Sequence, residues 1–484
     1  MHTQQQSETY KIYLQGQWVS TQREIEVINP ATEQAFARVS TVDQQQVHAA
    51  LRAAEDAFTG WRRLTAKERG MFLQHVADEL KRRHDEIARI ITLENGKPLP
   101  QSAAEVAMTE DHLRWFAGEG RRAYGRLIPH QISGKRNFTV KTPIGVVGAI
   151  APWNFPLVLG VRKMAPALAA GCPVVLKPAS QTPLSSILFA ECVEAAGIPG
   201  GVFQLVVGDA RMIAQEFLRN PICRKISFTG STSVGQELIR EAAESIKPLS
   251  LELGGLAPLL VFDDCDLDQA VQQTLIAKFR NTGQSCIAAN LIYVQRTIRN
   301  KFLERFVAGV KNLKVSPGLE PGADIGPLIN RKALENALAQ VEDAVRHGGK
   351  VLCGGKRADM RGYFLEPTVI DGASEPMLCT REETFAPIAP VVTFETEEEA
   401  IVCANRSPFG LSAYAMTRDI GRMFRLSEQI EAGTLSINDG APSTSTSPFG
   451  GVKQSGWGRE LGTEGLDAFL ETKHVSVGGI EERN

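Results

Sequence analysis

One cysteine of this chain lies in a segment of small polar residues that suits a nucleophile. Cys286 ends the run Asn281-Thr282-Gly283-Gln284-Ser285-Cys286, and Glu252 precedes it in the run Leu251-Glu252-Leu253-Gly254-Gly255. A thiol attacks as the thiolate, and it needs exposure and a favourable electrostatic setting. A carboxylate in a sheltered site can serve as a general base. A single cysteine is more often a structural thiol, so this segment alone leaves both interpretations open.

An asparagine between prolines and aromatic residues is a second candidate for chemistry. Asn154 lies in Ala151-Pro152-Trp153-Asn154-Phe155-Pro156, directly after the apolar run 146–150. The flanking residues fix the backbone, and a side-chain amide placed in advance is what an oxyanion hole requires. The alternative is a buried loop asparagine that only bonds backbone groups.

A strand, turn and helix pattern predicts an anion site. The segment 225–228 is typical of a strand, and Gly230, Ser231 and Gly235 lie in the turn and helix that follow. Free N–H groups at a helix N-terminus suit a pyrophosphate. The spacing is not the G-x-G-x-x-G fingerprint, so an ordinary turn fits this segment equally well.

A second strand end, Lys177-Pro178-Ala179-Ser180, carries an ammonium and a hydroxyl. Dinucleotides bind at the carboxyl ends of strands in open α/β sheets. A carboxylate there would repel a 2′-phosphate, whereas Lys177 with Ser180 would accept one. We therefore expect NADP to be accepted beside NAD, although Lys177 as a plain surface lysine is the alternative.

The elements that position these residues follow from length and periodicity. A chain of 484 residues predicts two or three domains. Apolar residues at helical spacing predict helices within 47–94 and 101–120. From about residue 140, short apolar runs alternate with helices, which indicates a parallel sheet with helices on both faces. A second α/β pattern covers about 256–454, with a loop at 441–448.

Composition excludes several classes of function. The chain is 43% hydrophobic and 22% charged with a net charge of −2, and its basic residues are scattered, so we expect no nucleic-acid partner. It has no apolar run of membrane-spanning length and no signal-peptide pattern at its start, so a cytoplasmic protein is expected. The eight cysteines form no C-x-x-C pair, which argues against zinc and disulfides.

Taken together, these segments resemble the aldehyde dehydrogenase superfamily over about residues 10–475. The matching runs, in family order, are Pro152-Trp153-Asn154-Phe155-Pro156, Lys177-Pro178-Ala179-Ser180, Phe228-Thr229-Gly230-Ser231, Leu251-Glu252-Leu253-Gly254-Gly255, Gly283-Gln284-Ser285-Cys286, Glu382-Glu383-Thr384-Phe385, Pro448-Phe449-Gly450-Gly451 and Gly458-Arg459-Glu460.

The resemblance implies an α/β fold with a Rossmann-type cofactor domain, an α/β catalytic domain and a small β oligomerisation element. The expected boundaries are 1–122 with 144–255 for the NAD(P)-binding domain and 256–469 for the catalytic domain. The segments 123–143 and 470–484 are then strands that pair across subunits in a homodimer or homotetramer.

The resemblance also implies the roles of the site residues. Cys286 would attack the aldehyde, Asn154 would hold the oxyanion, and Glu252 would activate the hydrolytic water. Lys163 and Glu460 correspond to residues that assist proton movement. The implied cofactor contacts are Trp153, Lys177, Ser180, Gly230, Ser231, Gly235, Leu253, Glu383 and Phe385.

Within the superfamily the chain resembles most closely the succinate-semialdehyde dehydrogenase branch. Arg162, in the run 160–172, and Ser443 match residues that bind the substrate's remote anion, and a guanidinium suits a carboxylate or sulfonate. A helix-surface arginine is the alternative for Arg162. The branch is expected to carry a second arginine after Ala289-Asn290, where this chain has Leu291. From Arg162 and Ser443 we expect the substrate to be a small, anionic semialdehyde, with lactaldehyde, sulfolactaldehyde and aromatic or aliphatic aldehydes left open.

Two further departures lie beside functional residues. Leu256 stands where the family commonly has asparagine or lysine, and Ala386 stands where it usually has glycine. Other classes of function are a CoA-acylating enzyme, which would not need Glu252, a cysteine hydrolase, and a non-catalytic structural protein.

Overall fold

The computed structural model describes residues 9–479; residues 1–8 and 480–484 lie outside the described part. The strands are β1 (Thr9–Tyr10), β2 (Ile12–Leu14), β3 (Gln17–Val19), β4 (Glu24–Asn29), β5 (Gln34–Ser40), β6 (Leu127–Ile128), β7 (Arg136–Pro143), β8 (Val146–Ile150), β9 (Val174–Lys177), β10 (Phe203–Leu205), β11 (Cys223–Thr229), β12 (Leu249–Glu252), β13 (Pro258–Val261), β14 (Leu291–Gln295), β15 (Lys350–Cys353), β16 (Thr368–Asp371), β17 (Ile388–Phe394), β18 (Phe409–Gly410), β19 (Ser412–Met416), β20 (Thr434–Ile437), β21 (Val452–Lys453), β22 (Gly456–Trp457) and β23 (Leu470–Val477). The helices are α1 (Gln44–Trp61), α2 (Ala66–Arg82), α3 (His84–Asn95), α4 (Leu99–Glu119), α5 (Val158–Ala170), α6 (Leu184–Ala195), α7 (Ala210–Arg219), α8 (Thr232–Ala242), α9 (Leu267–Phe279), α10 (Arg299–Lys311), α11 (Arg331–Arg346), α12 (Leu378–Arg381), α13 (Glu397–Asn405), α14 (Ile420–Gln429) and α15 (Gly462–Asp467).

The first large sheet has six strands in the order β10-β9-β8-β11-β12-β22. Its first five strands are parallel, and β22 pairs antiparallel with β12. Numbered from β8, the parallel strands follow the doubly wound order 3-2-1-4-5, which places a ligand crevice outside the carboxyl ends of β8 and β11. This arrangement confirms the predicted alternation of strands and helices.

Helix α5 explains how charged side chains reach the interior of this half of the molecule. It packs on β8, β9 and α4, and all of its residues are buried. Its apolar residues follow the rule that a helix hydrophobic all round is a buried helix. Arg162 and Lys163 are the exceptions, and buried charges need partners. The helix therefore carries two cations into a polar cluster.

The second large sheet has seven strands in the order β15-β16-β17-β14-β13-β19-β20. All pairs are parallel except β15 with β16. The segment from Leu253 to Ala257 leads from the end of β12 in the first sheet to the start of β13 in the second. Glu252 consequently lies where the two sheets meet. Separate apolar cores pack around each sheet.

A third sheet contains strands of the two predicted oligomerisation segments, and its strand order is β23-β7-β6. Strand β23 pairs antiparallel with β7 from Leu470 opposite Pro143 to Val477 opposite Arg136. Strands from the predicted oligomerisation segments 123–143 and 470–484 thus pair with one another. Most of the β23 side chains are exposed. Residues 480–484 of the predicted oligomerisation segment lie outside the described residues. Pairing across subunits, and the domain boundaries, stay predictions.

Candidate active site

The loop that carries Cys286 has an unusual backbone and is buried. After α9, Asn281, Thr282 and Gly283 have φ values of 51°, 59° and 74°, and all three residues are buried. A Cβ on Gly283 would lie 2.3 Å from the carbonyl oxygen of Ala386. Only glycine fits this contact, because the positive φ and the neighbouring backbone both exclude a side chain. The contact brings the 383–387 loop against the cysteine loop.

Asn154 lies beside the cysteine loop, as the oxyanion prediction requires. Its side-chain Nδ2 donates to the carbonyl of Gln284 at 3.2 Å, and the residue is 4% exposed. That bond uses one of the two amide protons and leaves the other to donate. Among the described residues, the Cys286 N–H has no hydrogen-bond acceptor. Two donors are therefore free to hold an oxyanion near Cys286.

A buried ion pair holds the backbone of Asn154 in place. Lys97 Nζ donates to the Asn154 carbonyl at 2.7 Å and to Glu105 Oε2 at 2.6 Å, and both side chains are almost fully enclosed. Asn281 Nδ2 donates to the same carbonyl at 2.7 Å. The other oxygen of Glu105 accepts the N–H groups of Leu157 and Val158 at the start of α5. One ion pair thus fixes the oxyanion residue and the helix that bears Arg162.

The surroundings of Cys286 favour the neutral thiol. Burial, followed by the negative charges of Glu383 and Glu252, raises the pKa of Cys286 to about 12, and Arg162 acts in the opposite direction. The sequence predicts a thiol with exposure and a favourable electrostatic setting. The structure leaves Cys286 partly exposed, but carboxylates outnumber the cations near the sulfur. Attack consequently depends on removal of the thiol proton by a base.

Glu252 is one of the carboxylates that act on the thiol and is a candidate for that task. It is 4% exposed at the end of β12, and burial, with the charge of Glu460 second, raises its pKa well above the usual value. A Cβ on Gly450, whose φ is 158°, would lie 2.7 Å from Glu252 Oε1. The glycine thus makes room for the carboxylate. A raised pKa is what a carboxylate needs to exchange protons near neutral pH.

Lys163 and Glu460 form an ion pair behind Glu252. Lys163 Nζ contacts Glu460 Oε1 and also donates to Thr229 Oγ1 at 2.6 Å. Both members of the pair are buried. Glu460 Oε2 and Glu252 Oε2 are buried without a hydrogen-bond partner among the described residues. Such atoms in a native interior call for a water or ligand partner, which suits a path for protons.

Arg162 and Ser443 meet in the cavity that opens onto Cys286. Arg162 Nη2 donates to Ser443 Oγ at 2.7 Å, and the guanidinium lies 4.9 Å from the ring centre of Phe449. Arg162 Nε is buried without a partner among the described residues. The lining residues of the cavity are Met108, Phe155, Val158, Leu159, Arg162, Arg280, Ser285, Cys286, Ile287, Ser443 and Phe449.

Arg280 is a site residue that the sequence analysis missed. It precedes the strained turn, lines the same cavity and lies 5.5 Å from the ring centre of Phe155. Its only signal in the sequence is a charge directly before the turn that leads to Cys286. The expectation that a second anion-binding arginine belongs at position 291 is wrong. Leu291 packs in another core at the start of β14 and does not reach this cavity.

The predicted anion site after β11 has an open helix N-terminus. Ser231 caps α8, its side chain accepting from Val234 N, and Gly235 lies in the first turn. Ser231, Ser233 and Val234 are exposed on this end, and Gly230 is half-buried. Leu253 lies directly behind Gly235. The free N–H groups of this turn fit the pyrophosphate of a dinucleotide.

Lys177 and Ser180 lie at the end of β9, on the same edge of the sheet. Lys177 Nζ donates to the carbonyl of Pro178 at 3.0 Å, and Ser180 Oγ donates to the carbonyl of Gly208 at 3.4 Å. Burial lowers the pKa of Lys177 to about 8, and Asp209 opposes this effect. Lys177 is therefore not the surface lysine of the alternative interpretation, since it is 4% exposed.

The remaining predicted cofactor contacts form one cluster. Trp153 and Phe385 pack edge to face with ring centres 5.4 Å apart. Phe385 has a φ of 43°, whereas Ala386 is not among the residues of positive φ. The family's glycine is consequently not needed at position 386. Burial raises the pKa of Glu383 to about 8, with Lys278 acting in the opposite direction.

Two further findings concern the part of the chain that the structure describes. Residues 9–479 contain no group of three or more His, Cys, Asp or Glu side chains that could hold a metal ion. No helix within that range is long and apolar enough to cross a bilayer.

A doubly wound sheet with a dinucleotide crevice, joined to a second α/β sheet that presents a thiol, defines a nicotinamide-dependent oxidoreductase. Residues 18–475 match the aldehyde dehydrogenase family. The chain belongs to this family, and it is an NAD(P)-dependent aldehyde dehydrogenase.

Relatives of this chain agree in fold and in reaction class. It is 45% identical to glutarate-semialdehyde dehydrogenase of Pseudomonas aeruginosa, covering 97% of each protein. It is 44% identical to succinate-semialdehyde dehydrogenase [NADP(+)] of Escherichia coli, covering 96% of this chain and 97% of the relative. The NAD+ complex of aldehyde dehydrogenase from Bacillus cereus superposes with a TM-score of 0.95 at 37% identity, covering 97% and 96% of the two chains.

Proposed function

We propose that this protein oxidises a small aldehyde bearing a remote carboxylate, of the succinate- or glutarate-semialdehyde class, to the dicarboxylic acid. One observation carries the proposal: Arg162, Arg280 and Ser443 line the same cavity as Cys286. Two guanidinium groups and a hydroxyl offer a carboxylate charged hydrogen bonds in the cavity that contains the thiol. The apolar side chains of the lining suit a short methylene chain. The relatives named for such semialdehydes support the same class.

The first chemical step follows from the thiol and its surroundings. Cys286 loses its proton to a base, for which Glu252 is the candidate, and the sulfur bonds to the aldehyde carbon. The carbonyl π pair moves to oxygen, and the resulting oxyanion accepts from Asn154 Nδ2 and the Cys286 N–H. A nicotinamide cofactor held in the dinucleotide crevice would accept a hydride from this carbon as the oxyanion re-forms the carbonyl bond, which would leave a thioester on Cys286.

Release of the product follows from the buried polar pair behind Glu252. Glu252 takes a proton from a water that attacks the thioester carbon, and the departing Cys286 sulfur is the leaving group. Lys163 and Glu460 hold the ion pair through which that proton moves away. A CoA-acylating enzyme would not need Glu252, so the carboxylate favours hydrolysis to the free acid.

The cofactor preference is proposed to include NADP. Lys177 and Ser180 offer an ammonium and a hydroxyl at the end of β9, where NAD-specific sites hold a carboxylate. Asp209 lies close enough to influence Lys177, and its negative charge would repel a 2′-phosphate. We expect both cofactors to be used.

Initial rates with length-matched aldehydes test this function. Succinate semialdehyde and glutarate semialdehyde are compared with butanal, lactaldehyde and sulfolactaldehyde, each with NADP and with NAD, and the product is identified as free acid or acyl-CoA. A kcat/KM for the carboxylate-bearing aldehydes at least tenfold above that for butanal supports the proposal. Equal values would contradict it.

We also propose a homodimer or homotetramer in which the β23-β7-β6 sheet contacts another subunit. The supporting observation is that β23 presents exposed side chains and, among the described strands, has no partner along one edge, and such an edge recruits a further strand. Light scattering during size-exclusion chromatography tests this: Ser476→Pro should yield smaller assemblies, and an unchanged mass would count against the interface.

A further inference from the structure

A second cavity, separate from the one at Cys286, lies on the second sheet. It has a volume of about 400 Å³, within the range of ligand pockets, which is about 300–1,000 Å³. Its lining residues are Leu256, Pro258, Leu291, Tyr293, Ala373, Ser374, Glu375, Thr380, Arg381, Val392, Cys403, Ala404, Arg406, Ser407 and Pro408. None of these residues lines the cavity at Cys286.

The interior of this second cavity is mainly apolar. Leu256 and Leu291 line it, and they are 5% and 7% exposed. Pro258, Val392 and Ala404 line it as well. Leu256 stands where the family commonly has asparagine or lysine, so an apolar side chain takes the place of a polar one at this wall.

The rim of the cavity carries uncommitted donors. Arg406 Nη1 lies 3.9 Å from Glu375 Oε2, and these side chains are 62% and 79% exposed, so the pair is weak. Arg381 Nη2 donates only to the carbonyl of Pro376, at 3.1 Å. The hydroxyl of Tyr293, which is 8% exposed, forms no hydrogen bond with another described residue. Two cations against one carboxylate favour an anion.

We propose that this cavity binds a small amphipathic carboxylate, with its apolar chain between Leu256 and Leu291 and its head group at Arg381 and Arg406. Charged hydrogen bonds to guanidinium groups hold a carboxylate in place. Burial of an alkyl or aryl group against the apolar floor adds to the binding affinity. A dicarboxylic acid of the kind made at Cys286 does not suit the site, because its second charge would lie against the leucines. The site therefore does not depend on the proposed function.

Occupancy of this site is expected to act on cofactor binding. Arg381 comes two residues before Glu383, whose carboxylate lies against Gly254. Leu256 follows the same glycine pair. A ligand that engages Arg381 and Leu256 would thus hold both segments that enclose Glu383.

Calorimetric titration of the full chain with octanoate tests the proposal. We expect saturable binding of one octanoate per chain, weakened at least tenfold by Arg406→Gln and by Leu256→Asn, the latter being a residue the family accommodates. Lys301→Gln, which removes an exposed charge on α10, is the matched control and should leave the affinity unchanged. Arg162→Gln should also leave it unchanged, because that residue belongs to the other cavity.

Failure takes distinct forms. The absence of saturable binding would overturn the site. Binding that survives Arg406→Gln and Leu256→Asn but disappears in Arg162→Gln would place octanoate at Cys286 and also overturn it. Saturating octanoate is expected to change the Kd of NADP at least twofold, and an unchanged Kd would overturn the coupling to Glu383. None of these outcomes bears on whether semialdehydes are oxidised.

Discussion

Arg162 on α5 and Ser443 in a distant loop meet at 2.7 Å, with the guanidinium as donor and the hydroxyl as acceptor. The two residues come from opposite halves of the chain, and both line the cavity at Cys286. The hydroxyl orients the guanidinium and leaves further N–H groups to bind an anion. This relationship is the structural basis for expecting a charged substrate.

Ser443→Ala should weaken the binding of a carboxylate-bearing aldehyde more than it slows the chemistry. Loss of one hydrogen bond to a charged group costs about 1.5–3 kcal/mol, so we expect the KM for succinate semialdehyde to rise at least tenfold with a kcat within about threefold of wild type. Steady-state kinetics with butanal provide the control, since its KM should hardly change. A fall in kcat with an unchanged KM would show that Ser443 does not bind substrate.

Alkylation of Cys286 should accelerate with pH and show no plateau below about pH 9. Its raised pKa, about 12, means that the reactive thiolate grows about tenfold for each pH unit in this range. Mass spectrometry of iodoacetamide adducts, resolved for each cysteine in the cofactor-free enzyme, measures the rate. A plateau near pH 7 would contradict the raised pKa of Cys286.

Removal of neighbouring charges should move that rate in opposite directions. Glu383→Gln takes away a negative charge that, after burial, raises the pKa of Cys286, so alkylation at pH 9 should become faster. Arg162→Gln takes away a positive charge that lowers it, so alkylation should become slower. If both variants changed the rate in the same direction, the electrostatic explanation would be wrong.

Gly450→Ala should impair turnover through Glu252. The added Cβ would lie 2.7 Å from Glu252 Oε1 and 2.8 Å from the carbonyl of Gly458, so the carboxylate must move. We expect kcat to fall at least tenfold while the KM for NADP stays within about twofold. Gly348→Ala is the matched control, because its φ is also positive but no atom lies within 4 Å of the new Cβ. Equal effects of the two substitutions would point to folding and not to Glu252.

Lys97 should act as a positioning residue for Asn154. Lys97→Met leaves Glu105 buried without its partner, which costs about 3–5 kcal/mol of stability. The pair Lys97→Met with Glu105→Gln should recover most of the free energy of unfolding, measured by denaturant titration. It should still show a lower kcat than wild type with little change in KM, because the Asn154 carbonyl keeps its bond from Asn281 but loses the charged one from Lys97. Full recovery of kcat would reduce Lys97 to a structural role.

Much of the fold follows from local pattern. The run 146–150 is apolar at every position and forms β8 with those bounds. The acidic run after Thr396 begins α13, capped by the Thr396 side chain. The parallel order of the first sheet follows from the alternation of strands and helices, since such connections are short and right-handed.

The site was predicted less completely, because several of its properties arise from contacts between distant segments. Arg280 carries no motif of its own and joins the cavity only through the turn that follows it. The high pKa of Cys286 depends on burial and then on Glu383 and Glu252, which approach through the packing of both sheets. The second anion-binding arginine was expected at position 291, since the neighbouring sequence does not show which face of β14 this position occupies.

The ratio of kcat/KM for succinate semialdehyde to kcat/KM for butanal tests the central claim most directly. It should be compared in wild type, Arg162→Gln, Arg280→Gln and the double variant, with Lys301→Gln as the charge control. Each single substitution is expected to lower the ratio roughly 10- to 100-fold. The double variant should bring the ratio close to one, because kcat/KM falls for succinate semialdehyde and not for butanal. A ratio that stays at the wild-type value in Arg162→Gln and Arg280→Gln would contradict the assignment of a carboxylate-bearing substrate.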